Sequence, residues 1–158
     1  MRFHFYAIFI CAATLAFSNA ASAGDAHSHS GGHGIGAVQL TLNNGAKWQT
    51  DKALRDGMWN IRYEMENALP DIHKGSMSKD RYAVLAGAVQ KHVDGMVAGC
   101  KLSPEADVRL HIVLAKVIEG VEVMKGAADR TPGAINILMV LNDYGNYFEH
   151  PGWAATSR

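Results

Sequence analysis

Eight histidines and seven methionines stand in a chain of 158 residues, and their types point first to metal chemistry. Thioether and imidazole together suit a soft ion such as Cu(I), and a methionine opposite a histidine suits the two axial positions of a b-type haem. Met58, His92, Met96 and His111 are the candidates for one inner site. His111 follows Asp107 by four residues, so a carboxylate one helical turn earlier can hold one ring nitrogen and leave the other for a ligand. Cys100 with His150, or with Glu105, is a second candidate pair. His27, His29 and His33 form a third group, in a Gly/Ser-rich stretch that can capture copper, zinc or nickel loosely. The competing structural roles are core filling by methionine, a hydrogen-bonded histidine at a helix seam, a buried inert thiol and a polar spacer.

The elements that would position these groups are legible from the start of the chain. Arg2, the apolar run from Phe3 to Phe17 and the small residues Ala21-Ser22-Ala23 read as an export signal cleaved near Ala23. The run is too short for a membrane span, so a periplasmic product without a membrane anchor is expected. Residues 1–23 are then the signal, 24–47 a disordered His/Gly/Ser-rich arm and lead-in, and 48–153 the folded domain. Removing the signal leaves Cys100 as the single cysteine, which rules out a disulfide within one chain. Fifteen basic residues balance fifteen acidic ones with no basic stripe, so nucleic acid is not an expected partner.

Four apolar stripes at helical spacing follow. Leu54, Met58, Ile61, Met65 and Leu69 mark the first helix, with Thr50 as N-cap and Pro70 as its end. Tyr82, Leu85, Val89, His92 or Val93, Met96 and Cys100 mark the second. The third opens on Ser103-Pro104 with Glu105 and Asp107 in its first turn, a strong start signal. Its expected stripe is Val108, His111, Leu114 or Ala115, Ile118, Val121 and Met124. The fourth opens on Thr131-Pro132 and stops at Pro151. Its polar face is narrow, which implies deep burial or packing against a second copy. Short connections make neighbours antiparallel, so the expected fold is an all-α, up-down-up-down four-helix bundle. Counting from the Cys100 end, Met58, His92 and His111 all lie about 12 Å down. Gly57, Gly95, Gly99 and Gly145 fall inside helices, where close packing is expected ahead of space for a bound group.

The motifs C-K-L-x-P-E-A-D-x-x-L-H at 100–111, K-W-x-T-D-x-x-L-R-x-G-M at 47–58 and L-N-D-Y-x-x-Y-F-x-H-P-x-W at 141–153 resemble those of a largely uncharacterised family of small exported bacterial proteins. That resemblance implies an exported helical domain and supplies no chemistry. The architecture is similar to that of the soluble b-type four-helix-bundle cytochromes, which implies an axial Met on the first helix and an axial His on the last, positions that Met58 and His150 match loosely; the haem-binding residues expected from the level count are Met58 and His111.

The leading expectation is a periplasmic transition-metal-binding protein, with copper first. The alternatives are a haem b electron carrier and a cofactor-free helical interaction module, self-associating through the fourth helix. Enzyme chemistry is not expected, because no nucleophile elbow, phosphate loop or H-E-x-x-H zinc motif occurs.

Overall fold

The computed structural model describes residues 39–154, and the signal, the cleavage site and the arm with His27, His29 and His33 lie outside them. The described residues form four helices and no strand: α1 (Lys52–His73), α2 (Lys79–Gly99), α3 (Pro104–Gly126) and α4 (Thr131–Tyr147). The fold is all-α. No helix among them is long and apolar enough to cross a membrane.

The α1 stripe behaves as its spacing dictates. Leu54, Met58, Ile61, Met65 and Leu69 are all buried. Both expected boundaries move, for identifiable reasons. Asp51, not Thr50, is the N-cap: its carboxylate accepts from the Leu54 backbone N–H at 2.8 Å and also from Lys101 N–H. One side chain thereby satisfies an orphan donor of α1 and pins the α2–α3 connection. The Thr50 hydroxyl is used elsewhere, on the Glu149 carbonyl. Pro70 does not end α1 either; the helix continues to His73. A proline so near the end forfeits a single backbone bond, while the extra turn buries Ile72 and lets Asp71 pair with Arg81.

Ser103 caps α3 as expected, accepting from Ala106 N–H, and Ser78 caps α2, accepting from Arg81 N–H. The rotation of α3 differs from the expected one. Its core face is Ala106, Leu110, Val113, Leu114, Val117, Val121 and Met124, while Val108 and Ile118 stay exposed. Contact with α4 sets this phase. A Cβ placed on Gly120 would lie 2.7 Å from the Gly133 carbonyl oxygen, and one on Gly133 would lie 2.5 Å from that of Gly120. The two backbones touch where these glycines face each other. His111 is nine residues from Gly120, which at 3.6 residues per turn places it about 180° away.

Each helix packs on two others: α1 on α2 and α4, α3 on α2 and α4. The α3–α4 contact is the most extensive and the α1–α4 contact the slightest. The start of α1 meets the ends of α2 and α4, and a short extended segment closes that end. Trp48 N–H donates to the Tyr147 carbonyl and Glu149 N–H donates to the Trp48 carbonyl, both at 2.8 Å. Lys47 Nζ reaches the Gly145 carbonyl at 2.6 Å. This pairing explains why α4 stops at Tyr147 rather than at Pro151: Phe148 must turn extended to lie beside Trp48.

Candidate functional site

Of the four residues expected to share an inner site, His111 is turned outward, away from the core that holds Met58 and Met96. Met58 and Met96 are fully buried members of one core. Met96 lies against the backbone of Gly57, where an added Cβ would fall 2.2 Å from its Cγ and 2.6 Å from its Sδ. The glycine is therefore room for a methionine, and the two thioethers serve as core filling. His92 sits at the outer edge of the α1–α2 seam, its Nε2 3.9 Å from a Glu64 carboxylate oxygen. The His111 side chain is 68% exposed, with Nδ1 2.9 Å from the Asp107 backbone carbonyl and 3.5 Å from its carboxylate. The carboxylate-before-histidine pattern is real, but it faces water on the side of α3 away from the Gly120 contact. Met58 in the closed core and His111 on the outside are also not the two faces of one haem cavity, so these positions do not fit an axial pair. Among the described residues no cluster of three or more His, Cys, Asp or Glu side chains could hold a metal ion.

Other glycines sort by the same test. Gly145 carries the indole of Trp153, whose Nε1 would lie 2.5 Å from an added Cβ, and Gly99 approaches Ala53. Both meet the packing expectation. Gly95 does not, since nothing lies within 4 Å of the position its Cβ would take.

Cys100 and His150 do lie at one end of the molecule, each with a partner of its own. The thiol lies beside the Asp51 carboxylate. Burial, then the carboxylates of Asp51 and Asp107, push its pKa up to about 11, so it is a protonated and poorly nucleophilic thiol at neutral pH. The ring of Tyr144 is buried in the core, with its hydroxyl 3.0 Å from His150 Nδ1. Burial also raises the Tyr144 phenol above its ordinary range. Burial lowers the His150 pKa, and the positive charges of Arg55 and Arg62 lower it further. His150 is thus a neutral imidazole at pH 7.

Around these groups is an aromatic cluster whose extent the sequence does not reveal. Tyr144 stacks on Phe148 at 5.1 Å between ring centroids and meets Trp153 edge-on at 4.9 Å. His150 lies 4.8 Å from Trp153 and 6.1 Å from Trp59. Arg62 lies over both indoles, at 5.7 Å from Trp59 and 5.1 Å from Trp153. The signal that would have found the cluster is the concentration of aromatic residues after Tyr144, read together with the outward face of α1 rather than its core stripe.

A second feature runs along the open flank of α4. A groove of 690 Å³ is lined by Leu69 from α1, Lys116 and Glu119 from α3, and Ile135, Leu138 and Met139 among others from α4. Ile135 and Met139 are 46% and 56% exposed. They lie four residues apart, on one face of the helix. Lys116 and Asp143, 4.0 Å apart and each about half-exposed, stand on its rim.

These features define an all-α domain of four helices with a polar-aromatic end and an apolar flank on α4. No family model matches the chain, and neither a curated protein nor a solved structure matches it.

Proposed function

We propose that the chain is an exported helical interaction module: an antiparallel up-down-up-down four-helix bundle that self-associates through α4. The observation that carries this reading is the groove beside α4, with Ile135 and Met139 turned outward and α1 making only a slight contact with α4. The occupant is a second copy. The rim carries Lys116 and Asp143 together, so a two-fold axis can set the cation of each copy against the anion of the other and keep both charges paired. Apolar side chains at the centre with charges at the rim are the usual anatomy of such a contact.

Sedimentation of the mature chain over a range of concentrations tests it. A dimer is expected, and Met139→Glu, which places a charge in the middle of the contact, should leave a monomer with unchanged helicity. A wild-type chain that stays monomeric at high concentration removes the proposal.

A second reading concerns the arm. His27, His29 and His33 fall within seven residues among glycines and serines, a composition that supports loose capture of copper or another borderline ion. Titration of Cu(II) against a competing chelator should show binding that disappears when all three are replaced by alanine and survives replacement of His92 and His111. Binding that instead follows His92 and His111 would restore an inner site and overturn this division of roles.

A further inference from the structure

The end of the molecule where α1 begins carries a cleft of 360 Å³, lined by Arg55, Asp56, Trp59, Asn60, His150 and Pro151. We propose that it binds a compact organic carboxylate bearing a flat ring, with the carboxylate on the Arg55–Asn60–His150 side and the ring against Trp59.

Three observations lead there. The first is the set of donors. Arg55 Nη1 is held by the Thr50 carbonyl at 2.6 Å and its hydroxyl at 3.0 Å, which fixes the guanidinium and leaves its other N–H groups for a ligand. The His150 tautomer follows from the buried phenol beside it. The Tyr144 hydroxyl has a proton to place, and His150 Nδ1 is its hydrogen-bond partner. Donation from Tyr144 satisfies the buried hydroxyl, whereas the opposite polarity strands its proton. Nδ1 therefore accepts, and Nε2 carries an N–H. Asn60 adds an amide.

The second is charge. The wall carries one cation, Arg55, and one carboxylate, Asp56, which is paired with Lys52, while the nearby Arg62 is itself paired with Glu66. The Arg55 guanidinium is thus the charge that faces the cleft, which favours an anion over a cationic ligand of the same shape.

The third is the platform. Trp59 is 48% exposed, yet Arg62 lies over one face of its ring and His150 and Trp153 pack beside it. An exposed indole fixed by its neighbours offers apolar contact area at little entropic cost. None of this rests on self-association, since the groove beside α4 is lined by different residues.

Benzoate, benzyl alcohol and benzylamine are the probes, titrated into the mature chain at neutral pH and low salt. Indole fluorescence and backbone amide shifts give the readout. Benzoate should bind in the millimolar range and shift amides at 55–60 and 150–151, with weaker binding as salt rises. The alcohol and the amine should bind at least about tenfold more weakly. Trp59→Leu should remove the benzoate response, and Asn60→Ala should weaken it; both positions face solvent, and circular dichroism confirms that each variant folds. Absence of benzoate shifts, an equal response to benzylamine, or binding that survives Trp59→Leu would each overturn the proposal.

Discussion

Gly133→Ala is expected to destabilise the domain by about 2–4 kcal/mol, although alanine is the better helix former. The added methyl would lie 2.5 Å from the Gly120 carbonyl oxygen, 2.9 Å from Val123 Cβ and 3.0 Å from the Met124 backbone nitrogen. Two of these three are backbone atoms of α3, so no side-chain rotation makes room. The helices must separate, and the interface that opens is the most extensive between any two helices of the fold. Gly95→Ala is the matched control. That position is exposed, lies within α2 and has nothing within 4 Å of the new methyl, so the same substitution should stabilise by about 0.5–1 kcal/mol. Urea unfolding of the two variants should shift the midpoint in opposite directions with the slope unchanged. Equal midpoints would mean that the glycine pair does not set the packing of α3 on α4.

The second large effect is expected at Phe148. Its side chain is fully buried and stacked on Tyr144, and its backbone is the partner of Trp48 in the segment that closes the end of the helices. Truncation to alanine leaves a cavity beside the Tyr144 ring and loosens the lead-in, a loss of about 3–5 kcal/mol. A cavity alone would lower global stability and leave local order intact. Here the hydrogen bonds of Trp48 and Glu149 depend on the same residue, so their amides should lose protection well before those of the α2 interior. Amide exchange that stays uniform across the variant would show that Phe148 packs without organising this segment.

Most of the helices can be read in the sequence because their signals are local. The serine caps before Lys79 and Pro104 and the four- and three-residue spacing in α1 require nothing from the rest of the chain. The rotation of α3 cannot be read in the same way. Valine, leucine and isoleucine occur around most of its circumference, so a stripe through Val108, His111 and Ile118 is as regular as the true one through Leu110, Val113 and Val117. What selects between them is Gly120 against Gly133, a meeting of two helices that periodicity within one cannot express. A one-residue shift in phase carries a histidine about 100° around the axis, and the expected meeting of His111 with Met58 fails on that shift. The ends of α1 and α4 differ from the expected ones for a related reason. Thr50, Asp51 and Phe148 each answer to a partner on a distant segment, and local capping rules rank residues without knowing those partners.

The bonds that tie residues 47–50 to 145–149 join positions nearly a hundred apart. Such a closure has to overcome the entropy of a loop that contains all four helices, and it forms cheaply only after their docking has shortened the loop. In a chain that emerges N-terminus first, the Trp48 backbone waits for its partners until residues 145–149 arrive. The closing segment is therefore a late event of assembly, and until it forms the indole of Trp48 and the ring of Phe148 are sticky surfaces open to whatever holds or escorts the nascent polypeptide.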